Sequence, residues 1–438
     1  MPEPIGPGAT GGGEPGGRAG HRPGDRSPLV RRAAVTIVFA MLGVSEGTWA
    51  ARIPAVKADL HLSAGMLGLA LLGPALGCVI AMPAAGAVLA SVAPRRISQL
   101  ALIVLCGLLP VTTVAGSAVQ LFFVLAGWGA GIGVLDVAMN TEAAAVQDQL
   151  GRRLMSGFHG AYSVGGLVGA GLGAIAAAAG VGARATFVIA SVVMVVAGLA
   201  GAQAFASRPA HHAPALASAT GPGAEGPGAA QPGRRARPHR WPKWSWTLIA
   251  LGAISFASFL GEGSASNWSA VYLHSSLGAS PAVAALGFTV FASAMAAGRL
   301  SGDWLASRAG PVRLVRLSAG VATIGFGGAL LIGQLWSGLV GYALLGAGLS
   351  VVVPLAFTGA AGLGRPGPNL AMVTTCGYLG SLAGPPIIGG LADLTSLPAA
   401  LGFVVVLAGL ITLLAGVVRP RPEAGATAGP AVTDPAAR

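Results

Sequence analysis

Gly129-Ala-Gly-Ile-Gly-Val134 returns 217 residues later as Gly346-Ala-Gly-Leu-Ser-Val351. Each copy is followed in register by a second match, Thr141-Glu-Ala-Ala144 and Thr358-Gly-Ala-Ala361. Further stretches repeat at offsets of 216 or 217. Glu46-Gly47 matches Glu262-Gly263, and Gly86-Ala-Val-Leu-Ala-Ser-Val-Ala93 matches Gly302-Asp-Trp-Leu-Ala-Ser-Arg-Ala309. Met155 and Gly160 match Met372 and Gly377. One match means little in so Gly/Ala-rich a chain, but several in one register describe two copies of a single unit.

The hydrophobic pattern says what that unit is. Charged residues make up 9% of the chain and apolar ones 54%, whereas a soluble domain carries about 25% charged residues. A bilayer therefore solvates much of the surface. A span needs about 20 apolar residues, and twelve such runs are present: 33–54, 64–90, 97–117, 118–143, 157–179 and 185–205, then 245–272, 282–305, 312–334, 336–360, 370–392 and 397–418. The expected fold is all-α, with twelve transmembrane helices in two pseudo-symmetric six-helix bundles, 33–205 and 245–418. Residues 1–32 and 419–438 read as disordered cytoplasmic tails. Residues 206–244, rich in Ala, Pro, Gly and Arg, read as a cytoplasmic linker. The first apolar run, after Arg31-Arg32, reads as an uncleaved first span.

With the amino terminus in the cytoplasm, 22 of the 26 basic residues fall on the cytoplasmic side, the asymmetry expected of an inner-membrane protein. The formal charge of +12 thus reflects topology. The arginines form no basic face, so no nucleic-acid partner is expected. Cys78, Cys106 and Cys376 sit inside apolar runs without metal-ligand spacing, and no metal or other cofactor is expected. Neither lysine belongs to a phosphate loop, and no zinc or nucleophile-elbow motif occurs, which argues against an ATP-driven pump and an intramembrane enzyme. Parallel repeats place a solute site at the interface of the halves, near the midplane, exposed to each side in turn as the halves rock.

Several strings point further: Trp49-Ala-Ala-Arg-Ile-Pro54, Leu135-Asp-Val-Ala-Met-Asn140 and Met155-Ser-Gly-Phe-His159, with Gly86, Arg95-Arg96, Gly302, Asp303, Arg308 and Gly310 in the loops after spans two and eight. On these the chain resembles the major facilitator superfamily over residues 33–418, in a bacterial branch loosely similar to the fucose–proton symporter group. The first loop departs from the family signature, with Ala90 where it has an acid. The resemblance implies proton coupling by an acid on helix four, carried over as Asp136. The acid on helix one is represented by Glu46, one turn before the position matching the group.

Ionisable groups inside spans cost several kcal/mol and mark function. Glu46 lies roughly 22 Å along its helix from Arg32. Asp136 shares a face with Asn140, and its counterpart in the second half is Val353. Glu46 and Asp136 are the expected proton-coupling pair. Asn140, His159, Tyr162, Glu262, Tyr378 and Trp49 are expected to contact substrate, although Trp49 and Trp268 also read as interfacial anchors. Arg95, Arg96, Asp303 and Arg308, joined by Arg299, are expected to form a cytoplasmic gate. Pro385-Pro386 is expected to break span eleven. The function so read is secondary active transport of a small solute by a proton-coupled monomer. A drug or metabolite efflux antiporter and a non-transporting receptor of the same fold stand as alternatives.

The charge asymmetry makes a direct prediction. A single cysteine placed in 206–244 should resist a membrane-impermeant thiol reagent in intact cells and react in inverted vesicles. Labelling in intact cells refutes the orientation.

Overall fold

The computed structural model describes residues 27–151, 154–205, 245–363 and 366–419. The linker, and the tails apart from residues 27–32 and 419, lie outside these. The first half comprises α1 (Pro28–Asp59), α2 (Ala64–Ala70), α3 (Leu72–Val88), α4 (Pro94–Val111), α5 (Ala118–Leu150), α6 (Met155–Ala178) and α7 (Ala183–Ala202). The second comprises α8 (Trp246–Ser275), α9 (Pro281–Ala309), α10 (Pro311–Ile332), α11 (Leu335–Leu349), α12 (Val352–Ala361), α13 (Pro366–Leu394) and α14 (Leu397–Leu414), the last extended by a 3-10 turn, Ala415–Val418. With α2–α3 and α11–α12 each forming one rod, there are twelve rods and, among the described residues, no strand. Eleven rods are long and apolar enough to cross a membrane. In the twelfth, α13, Gly, Pro, Ser and Thr dilute the hydropathy. Leu331 is 91% exposed and Leu300 89%, surfaces that suit lipid rather than water.

Local chemistry sets the helix starts. Ser27, Ser63, Ser117, Ser245, Ser280 and Ser396 each accept a hydrogen bond from the backbone amide three residues on, satisfying a donor the helix leaves orphaned. The Ser27 cap starts α1 at Pro28, five residues before the expected edge. Arg31, expected in a disordered tail, is buried instead. It pairs with Glu142 at 2.6 Å and donates to Gln149 Oε1 at 2.9 Å.

Prolines break helices, though not where expected. Span eleven runs unbroken through Pro385-Pro386. It is held by α2, since Gly68 abuts the Pro385 carbonyl and Gly389 abuts that of Ala64. The breaks fall at Leu71 and at Ser350–Val351. The first lies just after, and the second at, the residue four positions before a proline, Ala70 for Pro74 and Ser350 for Pro354, whose carbonyl loses its amide partner.

The halves share one packing scheme. In the first, α1 packs on α6 and α7, α3 on α5, and α4 on α5 and α7; in the second, α8 packs on α13 and α14, α9 on α11, and α10 on α11 and α14. Bare glycines set the distances. A Cβ on Gly129 would stand 2.0 Å from the Pro74 carbonyl oxygen, and one on Gly346 2.2 Å from that of Phe291. Both partners in the second contact lie 217 residues beyond those in the first. Gly165 sits on the Ala40 carbonyl and Gly380 on that of Phe256. On α1 and α8 the offset is therefore 216, which makes Glu46 and Glu262 equivalent. On α6 and α13 it is 215. The matches of Met155 with Met372 and Gly160 with Gly377 consequently fall two residues out of structural register. A Cβ on Gly160 meets nothing within 4 Å, whereas one on Gly377 meets Ser255 and Phe259.

Gly129→Leu and Gly346→Leu should each destabilise the protein by about 1–3 kcal/mol or more, because the obstructing atoms are backbone. Gly107→Leu, on a face with nothing within 4 Å of the added Cβ, should be neutral. Thermal unfolding in one detergent checks this, and indifference of the first two variants rejects the contact.

Candidate solute and proton site

Glu46 stands mid-way along α1, where Gly43 and Gly47 let that helix touch the α6 backbone at Tyr162 and Gly166. This approach brings the Tyr162 hydroxyl onto the Glu46 carboxylate, to which it donates a hydrogen bond. One helix away, Asn140 donates to Asp136 Oδ1 and to the Asp136 carbonyl, both at 2.9 Å. The i, i+4 spacing on α5 makes this pair local. The Glu46 and Asp136 charges act on each other, and both act on the Tyr162 phenol.

The second half supplies an ion pair. Arg299 Nη2 on α9 lies 3.2 Å from Glu262 Oε2 on α8, and Ser258 donates to Glu262 Oε1 at 3.5 Å. The Arg299 charge also reaches Tyr162 and His159 on α6, across the α6–α9 contact between the halves. His159 meets the Phe39 ring edge-on at 5.2 Å. Glu46, Asp136, Tyr162, His159 and Glu262 all lie deep in the bundle yet keep part of their surface accessible. Each therefore keeps an edge that water can reach within the bundle. Three carboxylates and one guanidinium converge there. In low dielectric the carboxylates attract hydrogen-bond donors and protons strongly.

Other expected positions fall elsewhere. Trp49 is buried against Trp128 and Phe187, with ring centroids 6.0 Å away in each case, inside the first half's own core. It neither faces the cluster nor anchors at an interface, and Trp268 is buried likewise. Tyr378 packs near Phe259 at 5.9 Å, on the α8–α13 contact of the second half. Of the gate residues, Arg95 donates to Gln203 within the first half, and Arg308 stacks over Trp304 at 4.2 Å within the second. Arg96 is exposed, and Asp303 lies on α9. Among the described side chains no ion pair joins these residues into a gate. Arg299, grouped with the gate by sequence, belongs to the central cluster. It lies ten residues inside α9, about 15 Å from its end, where a guanidinium needs a counter-charge. Glu262, the acid within the same half's spans, was the available signal.

One end of the interface is closed. Ser63 Oγ, at the start of α2, donates to Asp393 Oδ2 at 2.7 Å, and Gly65 in the first turn lies against the same carboxylate. An acid from the second half thus neutralises a helix N-terminus of the first. Ala51, Ala174 and Ala285 form a small buried cluster from both halves. At the other end of the rod, the last turns of α3 stand largely exposed.

Two six-helix bundles around a polar, charged interior define a membrane transporter of the alternating-access kind. Residues 34–367 match the sequence profile of the Major Facilitator Superfamily, and the chain belongs to that superfamily. An uncharacterised MFS-type transporter of Yersinia pestis is 34% identical over 402 residues, 90% of this chain and 97% of the relative. The membrane protein MosC of Rhizobium meliloti is 28% identical over 394 residues, 90% and 91% of the two chains. Among solved structures, the nucleoside transporter NupG superposes with a TM-score of 0.64 at 12% identity, over 89% of this chain and 98% of its own. A bacterial homologue of the lysosomal transporter Spinster, in an inward-facing and occupied conformation, gives 0.63 at 15% identity, over 91% and 97%. At such identities these likenesses concern the fold.

The ion pair yields a double-mutant prediction. Arg299→Met should destabilise by about 1–3 kcal/mol, below the cost of breaking a fully buried pair, since 25% and 17% of the two side chains remain accessible. Adding Glu262→Gln should restore most of the loss. Equal instability of the single and double variants in thermal unfolding rejects the pairing.

Proposed function

We propose that this transporter moves a small polar solute through the cytoplasmic membrane, coupled to protons carried by Asp136 and Glu46. The carrying observation is the cluster itself: Glu46 bonded to Tyr162, Asp136 bonded to Asn140, and the charge of Arg299 reaching Tyr162 from the other half. Two carboxylates in the first half have hydroxyl and amide partners and, among the described residues, no ion-pair partner, so their charge is most cheaply relieved by a proton. The third, Glu262, has Arg299 to offset part of that cost. This difference supports a reading in which the first half exchanges the proton and the second keeps a charge pair.

With both termini cytoplasmic, the end closed by Ser63 and Asp393 is the outer one, and the conformation faces inward. Asp136 would take a proton while the cavity faces out. Neutralised, it releases Asn140 to bind solute, and it gives up the proton after rocking exposes it to the cytoplasm. Hydroxyl, imidazole and amide groups at Tyr162, His159 and Asn140 suit a neutral hydrogen-bonding solute. An anionic one would meet an excess of carboxylates.

The test begins with a thermal-shift screen of purified protein against sugars, nucleosides, amino acids and organic acids to find a ligand. Its uptake into proteoliposomes is then followed with and without an imposed pH step. A charge crossing 100 mV carries about 2.3 kcal/mol, enough for severalfold accumulation or more. Asp136→Asn should abolish pH-driven accumulation while retaining ligand binding and exchange, and Glu46→Gln should do the same if the proton is shared. Unchanged accumulation in Asp136→Asn removes that residue from the coupling path.

A further inference from the structure

Two surface concavities lie end to end along one helix pair, away from the solute site. The first, about 540 Å³, sits at the start of α10 and is lined by Arg313, Arg316 and Arg419 together with Gly310, Pro311 and Leu317. All three arginines are exposed, no acid lines the hollow, and no described side chain bonds to them. The start of α10 also lacks a side-chain cap, so its first free amides, on Val312 and Arg313, open to the same space. Three guanidiniums and uncapped amides make an anion cradle.

The second, about 560 Å³, is an apolar groove between α10 and α14, lined by Gly320, Thr323, Ile324, Gly409, Leu410 and their neighbours. It continues the same face of α10: Arg316, Gly320 and Thr323 follow at helical spacing, so the groove begins one turn beyond the arginines and extends about 10 Å inward. Missing side chains open it. A Cβ on Gly320 meets nothing within 4 Å, and one on Gly409 meets only Thr323 at 3.7 Å. Leu317 and Ile324, 60% and 79% exposed, flank the path.

We infer that this composite surface is a binding site for one anionic phospholipid, its phosphate on Arg313, Arg316 and Arg419 and an acyl chain in the α10–α14 groove. A free phosphate needs only the cradle. The aligned apolar groove is what selects a lipid. The site lies at the end of the molecule from which the carboxyl-terminal segment leaves, in the leaflet on that side. It braces α10 against α14, helices of the second half that take no part in the central cluster.

Native mass spectrometry of the full-length protein tests this, using equal mixtures of phosphatidylglycerol and phosphatidylcholine with identical chains. The wild type should retain phosphatidylglycerol over phosphatidylcholine by about tenfold or more, each basic residue near a membrane surface contributing severalfold. The triple variant R313Q/R316Q/R419Q should bind the two lipids equally. G320L/G409L, which fills the groove and leaves the arginines, should lose bound phosphatidylglycerol while keeping its thermal stability. Millimolar inorganic phosphate should not displace the lipid. Equal retention of both lipids by the wild type, or an unchanged preference in the triple variant, overturns the site. Displacement by inorganic phosphate, with G320L/G409L binding as wild type, overturns it in favour of a soluble anion.

Discussion

Helix backbones seated directly on one another at glycine hold both halves of this protein in shape. In lipid, apolar side chains give no hydrophobic drive for helices to associate, and close van der Waals contact must supply it. Gly129 on the Pro74 carbonyl and Gly346 on that of Phe291 provide it in equivalent places. Gly43, Gly47 and Gly165 provide it between α1 and α6. The last of these contacts has a chemical consequence. Only because α1 and α6 touch at Gly43 and Gly166 does the Tyr162 hydroxyl reach Glu46.

The two halves repeat in packing but not in charge. Glu46 and Glu262 are equivalent positions, yet one has a phenol as its partner and the other a guanidinium. Asp136 has Val353 as its counterpart. A carboxylate with no ion-pair partner holds its charge at a higher cost in low dielectric than a paired one. The packing framework is therefore symmetric, whereas the charges within it are not. The charge of Arg299 links the halves by acting on Tyr162 and His159 across their interface.

Opening and closing need contacts that form and release at the ends. The bond from Ser63 to Asp393 has the character such a contact requires. It is exposed, lies between the halves, and is made to a helix terminus rather than to a partner charge. The Arg31–Glu142 pair differs. It lies buried within the first half, tying α1 to α5, and stiffens a body that moves as a unit.

Spans and the acids worth testing were legible in the chain because each depends on residues near one another in sequence, apolar runs of bilayer length and the i, i+4 step from Asp136 to Asn140, and the repeat was legible because matching residues recur at a nearly fixed offset. The offset between Glu46 and Glu262 was readable as well, because a duplicated packing contact preserves it. Residues that meet across helices were not. Rotation about each helix axis decides them, and in a chain apolar on nearly every face no periodic pattern reports that rotation. Tertiary packing alone turned Trp49 into its own half's core, set the α6–α13 register two residues from the sequence matches, and carried Pro385-Pro386 through an unbroken helix. It also moved Arg299 from the expected gate to Glu262, because a guanidinium deep in a bundle settles where a counter-charge from another helix awaits it.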